Sequence, residues 1–144
     1  AELLTSLQPA IESHTLSESE IITLASIIER EANSLESMQM VSGILQNRLA
    51  IDMPLQADAS IEYVLDKPLQ QLTPADLKID SPYNTYKHRG LPPTPISNPG
   101  QNAIEAVLEP TATDFFYYIT DPTGTFHYAR TLDEHNANIR RYLR

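Results

Sequence analysis

The chain has 144 residues, no cysteine, and a formal net charge of −9 from 19 acidic and 10 basic side chains. That length suits one ordinary domain that buries its own core, and the missing cysteines exclude disulfide staples, a thiolate nucleophile and cysteine-ligated zinc. The acidic balance argues against a nucleic-acid surface, because negative charge repels the phosphate backbone.

No apolar run reaches the roughly 18 to 20 residues that span a bilayer, and the opening "AELLTSLQPA" lacks the basic-then-apolar layout of a signal peptide. The chain as given is expected to be soluble, and its start without methionine fits a fragment whose anchor lies upstream. In "LSESEIITLASIIEREA", Ser17 is placed to cap, Glu20 completes a capping box, and Leu16 with Ile21 forms a hydrophobic staple. These signals predict a helix from Ser17 to Asn33. Met38, Val41, Leu45 and Leu49 then recur at helical spacing ahead of Pro54, which predicts a second helix from Ser34 to Ala50 and an αα-hairpin.

"MPLQADASIEYVLD" begins extended and then gains a partly helical pattern through Ile61, Val64 and Leu65, so its fold stays open. In "TPADL", Thr73 caps and Pro74 takes the first helical position, predicting a helix of about two turns. The stretch "SPYNTYKHRGLPPTPISNPG" holds five of the 11 prolines and two of the 4 glycines and reads as a loop. Long loops inside compact domains are usually functional or disordered, and Tyr83 and Tyr86 favour order here. "GQNAIEAVLEP" predicts a helix stopped by Pro110, with Ile104, Val107 and Leu108 inward. "DFFYYIT" and "TFHYAR" flank a Pro-Thr-Gly turn and predict a β-hairpin. "TLDEHNANIRRYLR" opens on a second capping box, Thr131 with Glu134, and closes on Arg140, Arg141 and Arg144, cations suited to a helix C-terminus. The expected class is α+β: a mainly helical body with a small antiparallel sheet, without internal repeats or a dividing linker.

Two glutamates flank an arginine at the end of the first helix. At about 100° per residue with Ile21 at zero, Glu31 falls at about 280°, beside Leu24, Ile27 and Ile28. Glu29, at about 80°, leans toward the boundary, and Arg30 faces water. Glu31 is therefore the glutamate expected to be desolvated, and burial raises a carboxyl pKa toward the range a general acid needs. Its place at the negative end of the helix dipole acts in the same direction. A glutamate in a last turn is most often solvated, so the wheel alone does not make it an acid.

Taken in order, "LASIIEREA", "ILQNRL", "MPLQAD", "SPYNTYKHRGLPPTPISNPG" and "FHYARTLDEHN" resemble the catalytic domain of the MltG (YceG-like) endolytic murein transglycosylase family. The similarity spans about Ile22 to Leu143, and "YNTY…GLPP…I…NPG" is its most distinctive part. The resemblance implies residues 1–20 as a connecting segment and 21–144 as the catalytic domain, without the family's N-terminal membrane helix and LysM-like region. It implies cleavage of the MurNAc-β-1,4-GlcNAc bond within peptidoglycan strands with formation of 1,6-anhydroMurNAc ends. The catalytic residue of the family's E-x-E motif maps to Glu31, with Glu29 as the alternative. Substrate-binding candidates from the matched motifs are Gln56, Asp58, Asn84, Thr85, Tyr86, Ser97, Asn98, Glu134, His135 and Asn136, whose amides, hydroxyls and rings suit a glycan cleft. Asn84 and Thr85 equally suit turn hydrogen bonds, Glu134 the capping box, and His135 an ordinary helix position.

Ala57 stands where the family often has Thr in "LQTD", and Thr94 where it often has Gly in "GLPPG". The implied partners are peptidoglycan strands and, beside them, peptidoglycan synthases of the penicillin-binding class. The implied setting is the bacterial envelope outside the cytoplasmic membrane. No cofactor is implied, and the four scattered histidines form no H-E-x-x-H zinc site. The competing readings are a hydrolytic muramidase, which needs a second carboxylate such as Asp58, and a non-catalytic peptidoglycan-binding or scaffold module.

Overall fold

The structure is a computed structural model and describes residues 14–143. The expected connecting segment falls mostly outside these residues, as does Arg144. The α+β class is observed: the described residues form five α-helices and one two-stranded antiparallel sheet. Helix α1 (Glu18–Glu31) starts at Ser17, whose hydroxyl accepts from the Glu20 amide while the Glu20 carboxylate accepts from the Ser17 amide. Ser34 and Ser37 form a similar reciprocal cap at the start of α2 (Leu35–Ala50). Both helices thus begin where local side chains satisfy orphan amides.

The chain then runs extended to Ala57 and enters α3 (Asp58–Leu65), which settles the ambiguous "MPLQADASIEYVLD". "TPADL" does turn helical, but as a single 3₁₀ turn, Asp76–Lys78, shorter than the predicted two turns. Thr73 and Asp76 do cap each other, but Asp76 also reaches Lys67 at 2.7 Å, and the chain leaves the helical path at Ile79, whose φ and ψ are extended.

After the proline-rich loop come α4 (Gln101–Leu108), strand β1 (Tyr117–Thr120), strand β2 (Phe126–Ala129) and α5 (Leu132–Tyr142). In the hairpin Tyr117 pairs with Ala129 and Thr120 with Phe126. The predicted capping box of α5 is half formed. Thr131 accepts from the Glu134 amide, whereas the Glu134 carboxylate turns to the Arg130 amide at 3.3 Å.

Helices α1, α2 and α4 pack together around Ile21, Leu24, Ile28, Val41, Leu45, Ile104 and Val107, all buried. The loop is ordered by specific bonds. Ser97 donates to the Ser26 carbonyl at 2.8 Å, the Ile96 amide donates to the Ser26 hydroxyl at 3.0 Å, and Tyr83 meets Thr94 at 2.7 Å. Gly43, in the middle of α2, lies so near the next segment that a Cβ there would run into the Thr111 carbonyl oxygen. Gly43→Ala should therefore destabilise the fold by about 1–3 kcal/mol in urea unfolding, although helix propensity alone predicts a gain of about 1 kcal/mol.

Candidate active site

Glu31 is the last residue of α1, and the wall it forms opens onto a cleft of about 560 Å³. Around it stand Asp58 from the first turn of α3, Tyr86 from the loop, Tyr118 from β1, His135 from α5 and Arg48 from α2. Five separate segments thus converge on the carboxylate that α1 presents. Desolvation raises the Glu31 pKa from 4.5 to about 7, and the charges of Asp58 and Glu62 push the same way. The Tyr118 hydroxyl, which donates to Glu31 Oε1 at 2.7 Å, and the Arg48 guanidinium hold it back. The result is a carboxyl that keeps its proton near neutrality yet has a donor waiting for its ionised form. Glu29, by contrast, turns away to accept from the Gly100 amide at 2.8 Å.

Asp58 accepts from the Tyr86 hydroxyl. Burial and this neighbouring carboxylate push the Tyr86 hydroxyl far above its usual pKa, so it stays a donor. Gln56 lines the cleft from a left-handed backbone, φ 53°, a conformation that non-glycine residues adopt at a cost. Its segment is held there from two sides. The Gln56 amide donates to the Thr85 carbonyl at 3.2 Å, and Arg48 Nη1 donates to the preceding Leu55 carbonyl at 2.5 Å. His135 stacks on Tyr117 with ring centroids 4.9 Å apart. Its Nδ1 is buried without a hydrogen-bond partner among the described residues, and burial, then the Arg48 charge, lowers its pKa and keeps the ring neutral.

Of the sequence candidates, Glu31, Gln56, Asp58, Tyr86 and His135 line this cleft together. Asn84 and Thr85 lie behind it, buried. The Asn84 amide group donates to the Leu77 and Ile79 carbonyls at 3.0 and 2.8 Å and its oxygen accepts from the Tyr86 amide at 2.9 Å. The Thr85 hydroxyl accepts from the Ala57 amide at 2.9 Å, serving the start of α3, where Ala57 offers no side-chain cap. Ser97 is bonded to α1, the Glu134 amide donates to the Thr131 cap of α5 while its carboxylate accepts from the Arg130 amide, and Asn98 and Asn136 are exposed away from the cleft lining.

The sequence profile of the YceG-like family matches residues 2–141, nearly the whole chain. The chain belongs to the YceG-like family. Two curated relatives are each named endolytic murein transglycosylase. The one from Bacillus subtilis (strain 168) is 38% identical over 133 residues, and the one from Streptococcus pneumoniae (strain D39) is 37% identical over 139 residues. Each alignment covers 92% of this chain but only 37% and 25% of the relatives, so this YceG-like chain spans well under half their length. A crystal structure of a yceG-like protein from Listeria monocytogenes superposes with a TM-score of 0.88 at 39% identity, over 93% of this chain and 44% of that one.

Sequence reasoning missed Arg30, Ile119, Thr120 and Leu143 in the lining of this YceG-like cleft, and with them Arg48 and Tyr118, which act on Glu31 directly. Arg48 carried a signal: it stands three residues after Leu45 and seven after Val41, on the apolar stripe of α2, where a cation has to be buried. Tyr118 carried none, because only the tertiary fold brings it to Glu31 from 87 positions away.

Proposed function

We propose that this domain is the catalytic part of a peptidoglycan lytic transglycosylase that cuts within glycan strands, with Glu31 as the single acid and base. The observation that carries this reading is the Glu31 carboxyl, set at about 7 by burial at the wall of a sugar-sized cleft and met by Tyr118. The names of the curated relatives support the substrate class.

In the proposed reaction, protonated Glu31 gives its proton to the glycosidic oxygen as the MurNAc-GlcNAc bond breaks and positive charge grows on the muramic ring. The carboxylate left behind is stabilised by the Tyr118 hydroxyl and by Arg48. It then takes the proton of the muramic C6 hydroxyl as that oxygen closes onto C1, giving the 1,6-anhydro end. No water enters, and Glu31 finishes protonated. Neutral His135, Gln56 and the Tyr86 and Asp58 pair supply hydrogen bonds for the acetamido and hydroxyl groups. Peptidoglycan is the proposed partner, with synthases of the penicillin-binding class nearby, and the proposed site of action is the cell wall outside the cytoplasmic membrane. Among the described residues no helix is long and apolar enough to cross a membrane.

The test is mass spectrometry of purified peptidoglycan after digestion. Anhydromuramic ends are expected, whereas reducing ends would establish a muramidase and unchanged glycan a binding module. The hydrolase alternative also makes Asp58 indispensable as the second carboxylate. On the single-acid reading, Asp58→Asn retains anhydro products. Because the Asp58 charge raises the Glu31 pKa, its removal moves the alkaline fall in rate to lower pH, which a pH–rate profile reads directly.

A further inference from the structure

We propose that the cleft continues past Glu31 into a second trough, which holds the glycan units on the far side of the scissile bond. The inference rests on the glycan-strand reading above and names a binding surface for it. Arg30, Glu31 and Thr120 line both the 560 Å³ cleft and a neighbouring hollow of about 290 Å³, whose opposite walls include Asn33 and Phe126. Glu29, Ala32 and Asn33 in turn form a wall common to that hollow and a third one of about 430 Å³ that reaches Met38 and Asn102. The three hollows therefore follow one another along the end of α1 and the bend into α2, and the carboxyl of Glu31 stands at the first junction. A strand occupying the whole length would present an internal bond to that carboxyl.

The chemistry of the trough suits neutral acetamido sugars. Besides Glu31 at the junction, its charged side chains are Glu29 and Arg30, and both are engaged within the protein: the Glu29 carboxylate accepts from the Gly100 amide at 2.8 Å, and Arg30 pairs with Glu62 at 2.6 Å. What faces the hollows besides these is amide, hydroxyl and apolar: Asn33 and Asn102, both exposed, Thr120, the Phe126 ring and Met38. Phe126 is held by aromatic neighbours, Tyr118 and Tyr128, with centroids 6.2 and 6.1 Å away, and gives a fixed apolar face for a pyranose. At the hairpin turn Gly124 adopts φ 89° and has open space where a side chain would stand, which leaves the trough wall low. A free anion or a metal would find neither an unpaired cation nor a carboxylate cluster here, whereas amides beside a ring both donate to and accept from N-acetyl and hydroxyl groups.

The test uses the Glu31→Gln form of the whole chain, which binds without cutting, and calorimetric titration with a tetrasaccharide and an octasaccharide prepared from peptidoglycan strands. The octasaccharide should bind about tenfold more tightly, from the few extra hydrogen bonds and ring contacts the trough provides. Asn33→Trp, which fills the middle hollow, should abolish that gain and leave the tetrasaccharide within about twofold. Asn102→Ala, a small change on an exposed helix face, should reduce the gain about threefold and serves as the second probe should the tryptophan disturb folding. Equal affinity for both lengths, or loss of both affinities in equal measure on Asn33→Trp, would overturn the trough. Anhydromuramic products from the unmodified chain, found together with equal affinities, would sink this inference alone, whereas their absence would sink the transglycosylase reading itself.

Discussion

Replacing Glu31 with glutamine is expected to lower strand cleavage by about 10²–10⁴-fold, the usual contribution of a positioned proton donor, and at the same time to stabilise the fold above neutral pH. The two effects have one origin. A glutamine keeps the shape and can still accept from Tyr118, but it has no proton to give and no carboxylate to receive one. The unmodified side chain titrates at 4.5 when exposed and at about 7 in the folded protein. A folded-state pKa raised above the unfolded one means that no penalty exists below pH 4.5, where both states are protonated. As pH rises from there through 7, the unfolded chain ionises first and the folded state loses relative stability. The loss reaches about 3 kcal/mol at 1.36 kcal/mol per decade. Thermal melts should therefore show Glu31→Gln more stable than the unmodified chain at pH 8 and equal to it near pH 4. Cleavage by the unmodified chain should fall as pH rises through about 7, since the acid must begin protonated. A melt difference that does not change with pH would mean that Glu31 is ordinarily solvated, and the proposed acid would be lost.

That carboxyl was legible because its signal is local: helical periodicity alone separates Glu31 from Glu29 on a helix whose two ends are marked by Ser17, Glu20 and the following serine cap. Where an element's support comes from elsewhere in the chain, the pattern fails. Helix α3 was ambiguous because Ala57, at the cap position before it, has no side chain to cap with, and Thr85, 28 positions later, satisfies the Ala57 amide instead. "TPADL" misled for a related reason, since its capping pair is real but the turn is drawn by Lys67 and by the extended chain at Ile79. The proline-rich loop was readable as a loop and as a place of function. Which of its polar side chains meet the cleft was not, because Asn84 and Tyr86 look alike as sugar-binding types, and only the carbonyls of Leu77 and Ile79 draw the first into the scaffold while Asp58 draws the second into the site.

Arg48 should be the position where one substitution damages both fold and site most. It is 4% exposed, and its fork is spent on backbone carbonyls. Nε donates to the Phe116 carbonyl at 2.7 Å and Nη1 to the Leu55 and Pro54 carbonyls at 2.5 and 3.4 Å, with the guanidinium carbon 5.3 Å from the centroid of the Tyr117 ring. Those carbonyls belong to the segments that deliver Tyr118 on one side and Gln56 and Asp58 on the other, so a single cation ties two walls of the cleft to α2. Burial lowers its pKa, a sign of the desolvation it bears, and the surrounding oxygens and ring offset that cost. Arg48→Met fills much of the volume but leaves these carbonyls without a donor, at about 1–3 kcal/mol for each buried one. A loss of about 3–5 kcal/mol is expected, a large share of the 5–15 kcal/mol typical of a domain, read as a lower urea midpoint. Arg48→Lys restores charge but not the planar fork and should recover only part of it. In whatever fraction of Arg48→Met remains folded, the positive charge that restrains Glu31 is gone, so the alkaline limb of the pH–rate profile should move to higher pH, opposite in sign to the shift expected for Asp58→Asn. Opposed shifts from two residues of opposite charge would identify the titrating acid as the one carboxyl on which both charges act.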